Sequence, residues 1–183
     1  MNINTENLDT TLEHWASIDG YLNYQVSWCG RVLNTKTGRI LKPGTTHRGN
    51  GYRFVILSKN GKTKLHKIHQ LVAREWSPNP NARPCVDHID NDKTNNHYQN
   101  LRWATYAENS RNAKNRTGGS SVYKGVSFHK QSNKWCARIM IQGEAKFLGS
   151  FVSEREAAAK YNAAASHHSI EFAKLNEIDD CDL

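Results

Sequence analysis

Between Val86 and Asn112 the chain reads VDHIDNDKTNNHYQNLRWATYAENSRN, and no other stretch constrains the fold as much. A short apolar run, Cys85-Val86, delivers Asp87 and His88 side by side. The loop Asn91-Asp92-Lys93-Thr94-Asn95-Asn96 is too rich in turn formers to be helix or strand. Leu101-Arg102-Trp103-Ala104 then reads as a second short strand. Thr105-Tyr106-Ala107-Glu108 has the T-x-x-E spacing of a capping box, which starts a helix with Asn109 in its first turn. Strand, loop, strand and helix in this order are a compact way to return an oxygen ligand to a carboxylate and an imidazole.

The residue types suit metal-assisted hydrolysis. A carboxylate can hold a cation that acts as Lewis acid and template, and a neutral imidazole, ordinary pKa about 6.5, can take a proton from water. One geometric condition follows, because neighbours in a regular strand point to opposite faces, so the strand carrying Asp87 and His88 must end or bend there. Asp90, Asp92 and His97 are alternative ligands nearby, in a loop whose ordinary content is solvated turn residues.

Taken in order, VDHID, NN, NLRW and EN resemble the active-site unit of HNH endonucleases, the ββα-metal finger, most closely its phage and intron homing form. The resemblance implies that Asp87 and Asn109 bind one divalent ion, that His88 is the general base, and that Asn100 holds the loop and orients His88. Many members place a His where this chain has Asn109, so a hard ion, Mg²⁺ or Mn²⁺, is expected rather than zinc. His66, His69, Cys85 and His88 have spacings that allow a zinc site on paper. The second pair lies on strand-like sequence and no further cysteines support it, so no structural zinc is expected.

Charge points the same way. Of 25 Lys and Arg and 17 Asp and Glu, residues 1–20 hold four acids and no base, and residues 171–183 hold five acids and one base. That leaves 24 bases against 8 acids between 21 and 170, a net of +16, the footprint of a nucleic-acid binder, and the resemblance implies double-stranded DNA as the partner. Cys29, Cys85, Cys136 and Cys181 are scattered, which argues against a disulfide framework. No apolar run is long enough for a bilayer and no leader is visible, so a soluble, cytoplasmic protein of a bacterial or phage-infected cell is expected, without membrane or obligate protein partner.

A hydrophobic content of 37% favours small modules over one large core, in an α+β chain. Residues 1–14 read as an acidic tail. Residues 15–50, with W-x-x-I-x-G-Y, Y-x-V-S and G-R-V, resemble the β-rich module that accompanies HNH homing nucleases. Within residues 51–112, assigned to the nuclease unit, Asn60-Gly61 joins two strand-like runs in a hairpin studded with Arg53, Lys64 and other bases, a ribbon that fits a DNA groove or equally protects a sheet edge. His69 to Trp76 reads as a short helix with Leu71, Val72 and Trp76 in the core; His69 is a satisfied structural histidine or a phosphate contact. Arg102 steadies a phosphate or stacks on an aromatic.

Residues 113–121 read as a flexible linker, and Arg111, Lys114 and Arg116 around it are candidates to follow the DNA backbone. Residues 122–176 show three strand patterns with turns at Ser132-Asn133 and Gln142-Gly143, then a helix from Glu154 to His168 with its alanines on one face. YKGV, KW-x-A-x-I, LG-x-F and EAA-x-x-YN-x-AA resemble the APETALA and ethylene-response-factor type DNA-binding domain, a three-stranded antiparallel sheet on one helix. By that resemblance Lys124, His129, Lys130, Lys134, Trp135, Arg138 and Lys146 are candidate DNA contacts, with Trp135 and Phe147 equally suited to a core. Residues 177–183 are a second acidic tail. The expected function is a homing-type endonuclease of phage or mobile-element origin that nicks as a monomer; the alternative is a DNA-binding regulator without catalysis.

Overall fold

The computed structural model describes residues 12–46, 51–113, 118–168 and 172–178. Lys114 and Arg116 of the basic track, Arg48 and Cys181 lie outside the described residues. The chain divides into two compact units, residues 1–106 and 107–183. Its α+β class, β-rich amino-terminal segment and carboxyl-terminal sheet packed on a helix are as the sequence predicts. No helix among the described residues is long and apolar enough to cross a membrane.

The first unit opens with an antiparallel sheet of β1 (Trp15–Ser17), β2 (Tyr24–Ser27), β3 (Val32–Asn34) and β4 (Arg39–Ile40), in that order. A second sheet holds β5 (Gly44–Thr45), β6 (Arg53–Lys59) and β7 (Lys62–Lys67). The β6–β7 hairpin turns through Asn60 and Gly61 at φ +52° and +74°, the left-handed pair that a two-residue turn demands. Helix α1 (Ile68–Trp76) runs on directly from β7 and buries Ile68, Leu71 and Val72, the i, i+3, i+4 face of an amphipathic helix. Those side chains meet Val26 and Val32 from the amino-terminal sheet, Val55 and Leu57 from β6, and Val86 and Leu101 from the pair β8 (Cys85–His88) and β9 (Leu101–Ala104). Residues 15–45 and 51–104 therefore share one core, and truncating Leu71 within it costs about 2–5 kcal/mol.

That shared core has a second seam. Gly30 sits at φ +89°, and a Cβ there would lie 2.9 Å from Asn96 Cβ and 3.1 Å from Ile68 Cγ2. Only glycine lets the amino-terminal sheet come this close to the loop after β8. Beside it Tyr98, in a short 3-10 turn (Tyr98–Asn100), donates its N–H to Trp28 O at 2.8 Å and stacks on the Trp28 ring with centroids 5.9 Å apart. The amino-terminal sheet thus buttresses the loop that the sequence singles out.

The second unit begins with α2 (Tyr106–Asn112), whose residues from Ala107 onward belong to it. An antiparallel meander follows, β10 (Val126–His129), β11 (Lys134–Ile141) and β12 (Glu144–Phe151), in that order. Helix α3 (Glu154–His167) starts with a full capping box between Ser153 and Glu156 and lays Ala157, Ala158, Tyr161 and Ala165 on the sheet. Gly125, at φ +75°, passes directly against the Tyr161 ring, where a Cβ would clash. Ser121 Oγ donates to Glu154 Oε1 at 2.6 Å, so this end of the expected linker is tied to the module. Asn176 exchanges two 2.8 Å hydrogen bonds with Asn162, holding the chain after α3 in place.

Candidate active site

Asp87 and His88 end β8 and are 5% and 4% exposed. In the β8–β9 pair Asp87 stands opposite Arg102 and His88 opposite Leu101, so the strand alternation separates the two side chains, as its geometry requires. Immediately afterwards the chain turns: Asn91 N–H donates to His88 O at 3.0 Å with Asn91 at φ +63°. Arg102 Nε donates to Asp87 Oδ2 at 2.9 Å, a partly buried ion pair that fixes the carboxylate plane. Arg102 thus neither stands apart from the site nor simply stacks on an aromatic.

The loop is stapled by Asn100. Its Nδ2 donates to Asp90 Oδ1 at 2.9 Å and to Asn95 O at 2.8 Å, and its Oδ1 accepts the Asp90 N–H at 3.1 Å. Burial pushes the Asp90 carboxyl up, but hydrogen bonds from Asn95, Asn100 and the Asp92 N–H outweigh it and hold the group below the usual carboxylate range. Asp90 and Asp92 spend their oxygens on this loop, Asp92 through Thr94.

Asn96 also reaches the imidazole. His88 Nε2 and Asn96 Oδ1 are 3.1 Å apart, both buried. Asn96 Nδ2 donates to Thr94 O at 3.2 Å, which orients the amide so that its oxygen faces the ring. An amide oxygen only accepts, so this contact is a hydrogen bond when the ring carries a proton on Nε2. The NN pair is visible in the sequence as part of the motif, but the contact of Asn96 with the ring is made only in the folded chain.

Two residues complete the surroundings of His88. His69, 3% exposed on α1, meets the His88 ring edge-on with centroids 5.1 Å apart, and its Nδ1 is buried without a hydrogen-bond partner. Burial, then the neighbouring His88 and Lys67 charges, push the His69 imidazole down to about 3, so it is neutral at cellular pH. Tyr52 packs 4.6 Å from His69 and 5.9 Å from His88, centroid to centroid. Burial, then the charges of Asp87 and Cys85, push its phenol up, keeping it a protonated donor. Tyr52 lies at the edge of the strand-like run 51–57, and nothing in its spacing marks it as part of the site.

Other expected residues are placed as follows. His66 Nε2 is 2.9 Å from Tyr21 Oη, away from any cluster with Cys85. No group of three or more His, Cys, Asp or Glu side chains gathers to hold a metal among the described residues. Asp87 is a hard oxygen donor of the first unit, of the kind that suits an ion which keeps water and phosphate among its ligands, and Asn109 lies on α2 in the second unit. Arg53 Nη1 donates to Thr45 Oγ1 at 2.8 Å, while Lys64 is exposed on β7.

In the second unit, Lys124 does not face outward. Its Nζ donates to the carbonyls of Ser110, Arg111 and Ala113, capping the end of α2, and burial followed by the Lys174 charge lowers its pKa. Arg111 is half-buried at that same helix end. The outer face of the sheet carries exposed Lys134 and Arg138, with the Arg138 guanidinium 5.9 Å from the ring of Phe147, which is 59% exposed. Trp135 is half-buried against the core, so the two aromatics part company. Lys146 pairs with Glu144 at 2.7 Å, His129 Nδ1 lies 2.9 Å from Ser132 Oγ, and Lys130 is exposed in the β10–β11 turn.

Comparison with known proteins agrees with this geometry. Residues 67–111 match the HNH endonuclease family profile and residues 13–58 the NUMOD4 motif. The DNA endonuclease I-HmuI of Bacillus phage SP01 is 37% identical over 121 residues, 66% of this chain and 68% of that protein. An HNH endonuclease of Acanthamoeba polyphaga mimivirus, L245, is 37% identical over 99 residues, 54% of this chain; the chain spans only 29% of that relative. The solved structure described as DNA binding and cleavage by the HNH homing endonuclease I-HmuI aligns with a TM-score of 0.51 at 30% identity, over 84% of this chain and 82% of that one. A plant AP2-like ethylene-responsive transcription factor of Arabidopsis thaliana, AIL7, is 36% identical over 67 residues, 36% of this chain and 13% of that protein. With a relative of this identity and coverage, and a hydrogen-bonded His88 beside Asp87, the chain belongs to the HNH homing endonuclease family.

Proposed function

We propose that the chain is a sequence-directed DNA endonuclease that hydrolyses phosphodiester bonds with one divalent cation, Mg²⁺ or Mn²⁺, and that it nicks as a monomer. The observation that carries this reading is the His88–Asn96 contact, which supports an imidazole protonated on Nε2, the tautomer a general base acting through Nδ1 needs. Asp87 and, on the family resemblance, Asn109 are the residues that would hold the cation. Bound there, it would supply positive charge to the phosphate oxygens and the departing 3′ oxygen. His88 takes the proton of the attacking water at Nδ1, Asn96 holds the opposite nitrogen, Arg102 keeps the Asp87 carboxylate in plane, and Asn100 keeps the loop closed.

Double-stranded DNA is the partner in this reading, in the cytoplasm of a bacterial or phage-infected cell, with no obligate protein partner. The carboxyl-terminal module is read as an APETALA/ERF-type DNA-binding domain, supported by the meander on α3 and the 36% identity to a plant factor. Its exposed Lys134, Arg138 and Phe147 are the contacts that this face offers a groove. The same face favours a second reading, a DNA-binding regulator without catalysis. Supercoiled plasmid incubated with Mg²⁺, with and without chelator, separates the two. Chelator-sensitive relaxation supports the nuclease, whereas chelator-insensitive binding with no cutting on any DNA supports the regulator.

A further inference from the structure

Lys67 and Lys93 come from different parts of the first unit, one at the end of β7 and the other in the loop after β8, yet both bring their ammonium groups to one aromatic ring. Lys67 Nζ lies 5.0 Å and Lys93 Nζ 5.1 Å from the Tyr52 ring centroid. Lys67 occupies the residue before α1 but makes no side-chain cap to the helix. Neither ammonium forms an ion pair among the described residues. Gathering two positive charges at one ring works against Coulomb repulsion, which the ring face offsets only in part. The same ring stands 5.9 Å from that of His88.

We propose that Tyr52, Lys67 and Lys93 form a phosphodiester-binding subsite beside His88 that seats the scissile phosphate. The inference rests on the nuclease reading above and extends it to residues outside the HNH motif. Two ammonium groups and a phenolic O–H match the non-bridging oxygens of a phosphodiester, since all three donate and none competes for the cation. A general base must lie within about one water of the atom it activates, so a phosphate held at this ring stands where His88 can serve it. His69, on α1, packs against the Tyr52 ring without adding charge. The subsite also accounts for the basic residue in a loop whose neighbours Asp90, Asp92 and Asn95 are occupied with one another.

The test is steady-state nicking of supercoiled plasmid in Mg²⁺ at several salt concentrations, by wild type, Lys67→Gln, Lys93→Gln, their double variant, Tyr52→Phe, and the charge-restoring Lys67→Arg and Lys93→Arg. Seating the scissile phosphate is expressed in kcat, so each glutamine variant is expected to lose about tenfold and the double about a hundredfold, with KM nearly unchanged. Tyr52→Phe keeps the ring but loses a donor, and a drop of about threefold to tenfold is expected. The arginine variants recover most of kcat, which also shows that a glutamine loss is not misfolding. Glutamine variants that raise KM alone and recover at low salt would make the lysines general backbone contacts and overturn the subsite while leaving the nuclease reading intact. Arginine variants as impaired as the glutamine ones would overturn it too. A wild type that nicks no DNA in either metal removes the nuclease reading and the subsite with it.

Discussion

Asn96 Oδ1 sits 3.1 Å from Nε2 of His88, and its amide is turned that way by the 3.2 Å bond from Nδ2 to Thr94 O. In the proposed mechanism that contact supports the tautomer which leaves Nδ1 as the basic nitrogen. Asn96→Ala is therefore expected to lower kcat about tenfold to a hundredfold while leaving DNA affinity near wild type. Single-turnover nicking paired with gel-shift titration measures both quantities. Unchanged cutting by the alanine variant would mean the ring is held by something else.

Gly30 links the amino-terminal sheet to that contact. Its φ of +89° and the 2.9 Å approach of a Cβ to Asn96 Cβ give Gly30→Ala two penalties at once. Backbone strain alone is worth about 1–3 kcal/mol. The variant should melt several degrees lower and, where still folded, cut more slowly than its stability loss explains. Thermal unfolding and nicking below the transition check this, and a variant as stable and active as wild type would refute the seam.

The pH dependence of stability follows from His69. Its unfolded imidazole takes a proton as pH falls below about 6.5, whereas the folded one does so only near about 3. Between those values the unfolded state binds more protons, so stability falls as the pH falls, by up to about 1.4 kcal/mol per pH unit. His66, also lowered by burial and then by Lys64 and Arg74, acts in the same direction. Urea titrations from pH 7 to pH 4.5 should show this slope, and His69→Phe should flatten it. An equally steep slope in the variant would assign the effect to other groups.

On the second unit, Arg138 over exposed Phe147 is the candidate groove contact. Arg138→Ala should weaken DNA binding without lowering the melting temperature. If the guanidinium reaches a phosphate, the slope of log affinity against log salt should shrink by about 0.9. If it reads a base, the loss should be confined to particular sequences. Affinity unchanged on every DNA and at every salt would remove this face from the interface.

Features set by local chemistry are legible in the order of residues alone. Asn60-Gly61 turns as two left-handed residues must, and Ala157 and Ala158 lie against the sheet as their spacing requires. What the sequence hides depends on contacts between distant segments. Segment 15–45 reads as a module of its own, but Val26 and Val32 need Leu71 and Val72 to complete a core. Asn96 is one of several asparagines around this loop, and its contact with His88, like its close packing against Gly30, is made only in the folded chain. Lys124 reads as a surface base, yet the adjoining turn at Gly125 sends its ammonium to the carbonyls at the end of α2. Tyr52 carries no motif at all, and its place beside His88 arises from the register of β6 against β7 and the start of α1.

His88 as the base of a metal-dependent cut is the claim on which the rest depends, and the most direct measurement is single-turnover nicking of supercoiled plasmid by wild type and His88→Ala at saturating Mg²⁺, with DNA binding measured in parallel. Wild type should nick and the alanine variant should lose at least about a thousandfold in rate, with affinity within about twofold. An alanine variant that nicks at the wild-type rate would contradict it.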